Sequence, residues 1–254
     1  MENEKVLEAI DLSLVVPTDA KWSYGSNVNA LSAVKGSYFS GFKRNERILL
    51  RNLTFSLREG DRLGVIGSNG AGKTSLLKVL AGNFSPSSGR LLVNGNASAL
   101  FNLHMGIQPS GTGMENIYLR GLQLGMSISE IREKMDEAVQ FSGLEDDINR
   151  VFTSYSTGMR LRLVTAITLM PDPDILIMDE WIGSSDRVFA AKLSRRLTSY
   201  VDKCKCLIIA SHNNLILREI CTHGLYLKDG KSMFFGPIDE AIKFRADTLS
   251  GGES

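Results

Sequence analysis

A glycine-rich segment followed by a lysine and two hydroxyl residues is the part of this chain best suited to chemistry. It runs Gly67-Ser-Asn-Gly-Ala-Gly-Lys-Thr-Ser75 and fits the phosphate-binding loop pattern Gly-x-x-x-x-Gly-Lys-Ser/Thr. Glycines let successive backbone N–H groups curl around a phosphate, Lys73 supplies a positive charge, and the Thr74 hydroxyl can bind Mg²⁺. The predicted nucleotide contacts are Ser68, Asn69, Gly70, Ala71, Gly72, Lys73, Thr74 and Ser75.

The segments on either side of this loop fit the same chemistry. Residues 63–66, Leu-Gly-Val-Ile, predict a short buried strand, and residues 75–81 predict a helix whose positive dipole end faces the bound anion. The alternative is a glycine-rich turn that matches the pattern by chance, but such a turn requires neither a strand before it nor a helix after it. We therefore expect a nucleotide at this loop.

Two acidic residues stand at the end of a second apolar segment. Residues 174–178, Asp-Ile-Leu-Ile-Met, predict a buried strand that delivers Asp179 and Glu180. Because unpaired buried charge is costly, a strand that carries two carboxylates to a nucleotide needs a reason. Asp179 fits a Mg²⁺ partner that acts through water, and Glu180 fits a base that polarises the attacking water. The alternative is a strand that ends in solvated acids.

A hydroxyl residue and a glycine precede a third apolar segment. Residues 161–170 predict a helix that stops before Pro171, and Tyr155-Ser-Thr-Gly-Met-Arg160 comes before it. Ser156 and Gly158 at a helix start can form an anion-binding end. Since the chain already has one phosphate loop, a second phosphate contact implies a nucleotide shared between two subunits. The alternative is an ordinary helix N-cap.

The order of these motifs resembles that of the ATPase subunits of ABC transporters. The phosphate loop, the Ser-x-Gly helix start and the Asp-Glu strand end are followed by Ser211-His212, after an apolar segment at 206–210. The resemblance covers about residues 50–240. Three segments are similar to the ATPases that export O-antigen, capsular polysaccharide or teichoic acid: Tyr-Ser-Thr-Gly-Met-Arg, the run from Gly106 to Ile117, and Asp-Glu-Trp-Ile-Gly. The last of these resembles the O-antigen branch most.

The resemblance implies a role for several residues. Ser156 and Gly158 contact the γ-phosphate of ATP bound to the partner subunit, and Asp186 matches the aspartate at the dimer contact. His212 matches the histidine that touches the γ-phosphate and acts with the glutamate. Asn102 stands, by its spacing to Pro109, where the family has a glutamine that ligates Mg²⁺.

The chain departs from the family pattern at three positions. Thr157 replaces the usual first glycine of the signature segment, and Met159 replaces a glutamine. Neither change removes the serine hydroxyl or the second glycine, so their predicted role stands. Asn102 carries its amide on a shorter side chain than glutamine, which puts direct ligation of the metal in doubt.

Composition and charge limit the possible classes of protein. The chain has 254 residues, which suit one large domain, and a net charge of +1, which gives no reason to expect nucleic acid. Its apolar runs are far shorter than a membrane span, and no signal peptide is predicted. The three cysteines have neither disulfide nor zinc spacing. We expect a cytoplasmic enzyme.

The predicted fold is α/β: a phosphate-loop NTPase core with a parallel sheet, an N-terminal antiparallel β layer and a helical subdomain. We expect a single ABC ATPase domain over residues 1–254. Its predicted parts are an inserted loop at 17–46, a helical signature subdomain at about 104–170 and a C-terminal tail at 237–254.

Local signals predict several turns and caps. Asn94-Gly95 is typical of a β-hairpin, and Asp229-Gly230 predicts another within 225–235. Ser129 is predicted to cap a helix that Gly143 ends. A further helix is predicted at about 188–201.

The segment from 17 to 46 is surplus to a catalytic core. Its basic residues outnumber its acids, which suits contact with lipid phosphates or a pyrophosphate-linked glycan, although a solvated loop is the alternative. Polysaccharide-export members carry an extended segment here, which implies a place near substrate entry. The aromatic candidates for stacking on adenine are Tyr24, Tyr38 and Phe39.

The resemblance implies an ATPase subunit, with ATP and Mg²⁺ as cofactors, that drives export of a lipid-linked polysaccharide, most simply O-antigen. The implied partners are a separate integral-membrane permease and a second copy of the chain, and no nucleic acid. The implied location is peripheral, on the cytoplasmic face of the inner membrane. Alternatives are a capsule or teichoic acid exporter, or a soluble ABC ATPase acting on ribosomes or DNA. A P-loop kinase or GTPase does not account for the signature segment.

Overall fold

The computed structural model describes residues 4–17, 46–100, 106–180 and 187–250. The strands are β1 (Lys5–Pro17), β2 (Glu46–Arg58), β3 (Arg62–Ile66), β4 (Ser88–Val93), β5 (Ala97–Leu100), β6 (Ile175–Asp179), β7 (Cys206–Ala210), β8 (His223–Lys228) and β9 (Lys231–Pro237). The helices are α1 (Lys73–Leu80), α2 (Gly113–Gln123), α3 (Ile128–Ser142), α4 (Thr157–Thr168), α5 (Arg187–Lys203), α6 (Asn214–Ile220) and α7 (Ile238–Ser250).

A six-stranded sheet forms the centre of the molecule, in the order β5-β6-β7-β3-β8-β9. Its first five strands are parallel, and β9 pairs antiparallel with β8. The middle strands are buried on both faces, which explains why β6 and β7 read as unbroken apolar runs. Because parallel strands end at the same edge of a sheet, the residues that follow β3, β6 and β7 come together there.

A three-stranded antiparallel sheet in the order β2-β1-β4 packs beside the central sheet. Its inner residues share one apolar core with α1 and with β3 and β8. This arrangement confirms the predicted antiparallel layer beside a parallel core.

Helices α2, α3 and α4 pack around a separate apolar cluster that includes Ile117, Ile131 and Leu163. Two of these helices begin with a capping box, in which the N-cap hydroxyl and a glutamate three residues later satisfy each other's backbone N–H groups. Gly143 ends α3 in the left-handed conformation, as predicted.

Two local predictions are wrong. Ser127 caps α3 rather than Ser129, because Ser127 has Glu130 at the third helical position to complete its capping box. Asn94-Gly95 is not a hairpin turn, since β4 belongs to the antiparallel sheet and β5 to the parallel one. Gly95 instead carries the chain between the two sheets with a φ of 117°.

The C-terminal part of the chain is more regular than the sequence predicts. The hairpin of β8 and β9 forms as predicted, with Asp229 and Gly230 both at positive φ. Helix α7 then occupies most of the segment that the sequence assigns to a tail, and α6 was not predicted either. None of the helices in the described ranges is long and apolar enough to cross a membrane.

Several sequence-based predictions concern residues outside the described ranges. They are Asn102 as a metal ligand, Asp186 as a dimer contact, and the three aromatic candidates for adenine. The proposed insert also lies outside them, apart from its two end residues, which belong to β1 and β2.

Candidate nucleotide-binding and hydrolysis site

The phosphate loop joins the end of β3 to the start of α1 and is built for a close approach of backbone to ligand. Gly70 and Gly72 have φ of 80° and 106°, a region in which L side chains are strained. A Cβ on Gly67 would lie 2.7 Å from the Leu227 carbonyl oxygen, so this position admits only glycine without movement. Sterics and backbone conformation therefore both account for the glycines of this segment.

Lys73 points back into the loop rather than into solvent. Its Nζ donates hydrogen bonds to the carbonyl oxygens of Gly67, at 2.9 Å, and Ser68, at 3.1 Å. The residue is only 8% exposed, and this burial lowers the pKa of the ammonium, an effect opposed by the carboxylates of Asp179 and Glu180. A cation with its head group held inside the loop is well placed for a phosphate that the loop encloses.

Thr74 and Asp179 meet across the edge of the sheet. The Thr74 hydroxyl donates a 2.7 Å hydrogen bond to Oδ2 of Asp179, although the residues are 105 positions apart in the sequence. A hydroxyl beside a carboxylate is a donor set that suits Mg²⁺, which prefers oxygen ligands and retains several waters. Within the ranges that the structure covers, no group of three or more His, Cys, Asp or Glu residues is arranged to hold a metal ion.

Glu180 is held by the residues that follow β7. The Ser211 hydroxyl donates to its Oε2 at 2.9 Å, and the backbone N–H of His212 donates to its Oε1 at 3.2 Å. Its own N–H donates to the Ala210 carbonyl at 2.8 Å, and its φ is 71°. A non-glycine residue at positive φ is uncommon and strained, and here its backbone is fixed by the neighbouring strand.

His212 lies between the glutamate and the lysine. Its Nε2 is 3.8 Å from Oε1 of Glu180 and 3.4 Å from Nζ of Lys73. The side chains of Glu180 and His212 are each 49% exposed, so both remain accessible to a ligand and to water. The structure thus brings together the base and the histidine that the sequence predicts.

These groups line a single open cleft of about 550 Å³. Its lining consists of residues from β2, the phosphate loop, α1 and the ends of β6 and β7, namely Arg47, Leu49, Asn69, Gly70, Gly72, Lys73, Thr74, Ser75, Asp179, Glu180 and His212. The sequence analysis gave neither Arg47 nor Leu49 a role at the nucleotide. Their position depends on the contact between β2 and the central sheet, which no local signal reports.

Ser156 and Gly158 lie elsewhere, at the exposed start of α4. Ser156 is the N-cap, and its hydroxyl accepts a hydrogen bond from the Met159 N–H at 3.2 Å. A Cβ at Gly158 would meet nothing within 4 Å, so packing against the described residues does not require a glycine there. The ordinary N-cap reading is therefore correct for Ser156, and it is compatible with an additional contact to a second molecule.

Comparison with known proteins agrees with this site. The family model described as ABC transporter matches residues 50–183, just over half of the chain. The chain is 34% identical over 193 residues to the teichoic acids export ATP-binding protein TagH of Lactococcus lactis, covering 76% of this chain and 41% of the relative. It is 36% identical over 205 residues to the O-antigen export system ATP-binding protein RfbB of Myxococcus xanthus, covering 81% and 47%.

A third relative, the O-antigen export system ATP-binding protein RfbE of Yersinia enterocolitica, is 34% identical over 181 residues, with 71% of this chain and 76% of the relative covered. The chain thus spans less than half the length of the first two relatives and about three quarters of the third. These similarities confirm the resemblance to polysaccharide-export ATP-binding proteins that the motifs indicate.

Solved structures show the same fold. The chain matches an ATP-binding subunit of an ABC transporter with a TM-score of 0.69 at 19% identity, covering 95% of this chain and 93% of that one. It matches the dimeric, ADP- and Pi-bound cassette MJ0796 with a TM-score of 0.66 at 17% identity, covering 91% and 98%. The predicted α/β fold is confirmed, and the chain belongs to the ABC transporter family.

Proposed function

We propose that this chain binds and hydrolyses ATP as the nucleotide-binding subunit of an exporter of lipid-linked polysaccharide. The observation that carries the proposal is the meeting, in one cleft, of the phosphate-loop lysine, the Thr74–Asp179 pair and the Glu180–His212 pair. A nucleotide needs the lysine to bind its phosphates. Hydrolysis needs the Glu180–His212 pair, because it requires a positioned base beside the terminal phosphate.

Glu180 is the proposed base. Hydrogen bonds from Ser211 and the His212 backbone occupy one lone pair on each carboxylate oxygen and fix the direction of the group. The remaining lone pairs can accept a proton from a water held against the γ-phosphate. His212 is placed to contact the same phosphate, because its Nε2 lies between Glu180 and the lysine.

Mg²⁺ is the proposed metal cofactor. Thr74 would ligate it through its hydroxyl and Asp179 would hold it through water, with Asn102 as the further proposed ligand. The metal supplies charge neutralisation for the β- and γ-phosphates. Their hydrogen bond keeps the Thr74 hydroxyl and the Asp179 carboxylate side by side, so little rearrangement is needed to receive the ion.

The complete site is proposed to need two copies of the chain. Ser156 and Gly158 do not line the cleft of their own subunit but sit on an exposed helix start with orphan N–H groups, which suits an anion. We propose that they contact the γ-phosphate held by Lys73 of the other subunit, with Asp186 at the dimer contact. The solved dimer of a similar cassette bound to ADP and Pi supports this arrangement.

The proposed cargo is O-antigen, with teichoic acid as the competing polymer. Of the eight relatives compared, two are named for O-antigen export and six for teichoic acid export, at similar identity. The segment Asp-Glu-Trp-Ile-Gly favours O-antigen by its resemblance. The proposed partner is a separate membrane permease, which places the chain peripherally on the cytoplasmic face of the inner membrane, with residues 17–46 toward substrate entry.

Co-purification and complementation test this function together. The tagged chain is isolated from detergent-solubilised membranes of its own cells, and the polymer at the cell surface is measured in a deletion strain that carries either the wild-type gene or Lys73→Ala. We expect recovery of a polytopic membrane protein, and surface polymer with the wild-type gene only. Recovery of ribosomes or DNA in place of a membrane protein contradicts the export function.

A further inference from the structure

The nucleotide cleft has two unlike sides, and the sheet order tells them apart. Strands β6 and β7, which deliver Glu180 and His212, lie on one side of β3. Strands β8 and β9 lie on its other side, and the turn between them bonds to the phosphate loop, because the Gly230 N–H donates to the Ala71 carbonyl at 3.0 Å. The hydrolytic groups therefore occupy only one side of the loop.

Strand β2 stands on the opposite side from those groups. The Arg51 N–H donates to the Gly230 carbonyl at 2.8 Å, and the Leu49 carbonyl oxygen would lie 3.0 Å from a Cβ on Gly72. β2 is thus attached both to the β8–β9 turn and to the loop. The cleft between β2 and the loop is continuous with the space in front of Glu180, since residues from both sides line it.

A bound nucleotide has a fixed direction in such a cleft. Its terminal phosphate faces Glu180 and His212, so its nucleoside leaves the loop on the side of β2. There the lining residues are Leu49, which is half-buried, and Arg47, which is exposed. Arg47 lies two residues beyond Leu49, or about 7 Å along the strand, and so reaches past the phosphates toward the base.

The described part of this wall offers a guanidinium plane to a flat heteroaromatic ring. Apart from the His212 imidazole, which lies beside Glu180 and Lys73, the described residues that line the cleft include no aromatic side chain. Arg47 offers a planar guanidinium, which can stack on a ring face by cation–π and dispersion interactions. Within the described ranges its side chain makes no hydrogen bond and no ion pair, so its plane is available to a ligand.

We propose that Arg47 binds the nucleoside part of the nucleotide, with its guanidinium stacked on the face of the base and Leu49 as an apolar support beneath the ribose. This inference rests on the proposed binding of ATP. It adds a residue that determines affinity for the nucleoside, as distinct from the groups that hold the phosphates.

The test compares a nucleotide with a ligand that has no nucleoside. Isothermal titration calorimetry on the full chain measures the binding of ATP and of inorganic tripolyphosphate, each with Mg²⁺. The variants are Arg47→Ala, Arg47→Lys, which keeps the charge but not the plane, and Arg51→Ala, a matched arginine on β2 that does not line the cleft. Lys73→Ala reports on the phosphate subsite.

We expect Arg47→Ala and Arg47→Lys each to weaken ATP binding by about two- to tenfold, with tripolyphosphate affinity changed by less than about twofold. Arg51→Ala should match the wild type, and Lys73→Ala should lose both ligands.

Unchanged ATP affinity in Arg47→Ala overturns the inference, as does an equal loss of affinity for tripolyphosphate, which makes Arg47 a phosphate contact. Wild-type affinity in Arg47→Lys overturns stacking. A wild-type chain that binds neither ligand contradicts the proposed ATP binding itself.

Discussion

The backbone N–H of His212 donates a hydrogen bond to Oε1 of Glu180, and the imidazole Nε2 of the same histidine lies 3.8 Å from that oxygen. One residue therefore both fixes the direction of the carboxylate and places its own ring beside it. Two parallel strands that are neighbours in the sheet, β6 and β7, bring them together. This pair is the centre of the proposed hydrolysis.

Glu180→Gln should separate binding from hydrolysis. The amide keeps the size of the side chain but is a far weaker base, so we expect turnover of ATP to fall by roughly a hundredfold or more while ATP affinity changes little. Phosphate release and equilibrium binding measure the two effects. Glu145→Gln, at an exposed position after α3, is the matched control and should behave as wild type. Near-normal turnover in Glu180→Gln removes Glu180 from the role of base.

Thr74→Val should raise the concentration of Mg²⁺ that hydrolysis requires. Valine has nearly the same shape as threonine but lacks the hydroxyl that donates to Asp179, so one proposed ligand is lost and the carboxylate loses its partner. We expect about a tenfold or greater increase in the half-saturating Mg²⁺ concentration. Thr74→Ser retains the hydroxyl and should stay close to wild type. An equal Mg²⁺ requirement in all three proteins contradicts the metal assignment.

Gly158→Asp should block association without disturbing the isolated subunit. A Cβ at this position meets nothing within 4 Å, and an added carboxylate would repel the γ-phosphate of the partner's ATP. We expect Glu180→Gln to dimerise with ATP in sedimentation velocity, and the double variant with Gly158→Asp to stay monomeric while still binding ATP. Asn149→Asp, at an exposed position that precedes α4, adds the same charge and should leave the dimer intact. Dimerisation of the Gly158→Asp protein contradicts the shared site.

Tyr200 should make the protein less stable at high pH. Its hydroxyl donates to the Leu169 carbonyl, and burial raises its pKa to about 12. In the unfolded chain the pKa of a tyrosine is about 10. Between pH 10 and pH 12, roughly, the folded state keeps the phenol proton that the unfolded state loses. The free energy of unfolding therefore falls as pH rises, by about 1.4 kcal/mol per pH unit. Burial also raises the pKa of Cys206 and Cys221 to about 12, so these thiols too lower the free energy of unfolding as pH rises.

Urea unfolding between about pH 7.5 and pH 11.5 with a reducing agent measures this effect, because that range brackets the unfolded-state pKa values of about 8.5 for cysteine and 10 for tyrosine. We expect Tyr200→Phe to show a shallower loss of stability above pH 10 than the wild type, with the thiol contribution left. Tyr118→Phe is a control on a half-buried tyrosine of α2. The same slope in Tyr200→Phe and the wild type contradicts the assignment.

The edge of the sheet that carries the candidate site could be predicted from the sequence because its signals are local. The buried strands β3, β6 and β7 are continuous apolar runs, and the functional residues follow each of them directly. The phosphate loop has a fixed spacing that its backbone geometry demands.

The features that sequence reasoning missed depend on tertiary contacts. Arg47 enters the cleft because β2 bonds to the β8–β9 turn, through the Arg51 N–H and the carbonyl of Gly230, which lies 179 residues further along the chain. Asn94-Gly95 favours a hairpin locally, but Leu91 and Leu92 pair with β1 rather than with the next strand. Pairing of a strand is decided by which sheet can bury it, and a dipeptide carries no information on that choice.

The start of α3 provides a direct test of a prediction that was wrong. The sequence favours Ser129 as the cap, whereas the structure has the Ser127 hydroxyl accepting from the Glu130 N–H at 3.3 Å and the Glu130 carboxylate accepting from the Ser127 N–H at 2.7 Å. Ser127→Ala removes the hydroxyl that accepts from the Glu130 N–H and donates to its carboxylate, and it leaves the backbone N–H in place. We expect it to lower the free energy of unfolding by about 1 kcal/mol. Ser129→Ala, two residues away on the same exposed turn, should change it by less than about 0.5 kcal/mol. Urea unfolding at neutral pH compares the two. A larger loss in Ser129→Ala than in Ser127→Ala would return the cap to Ser129 and shift the start of the helix by two residues.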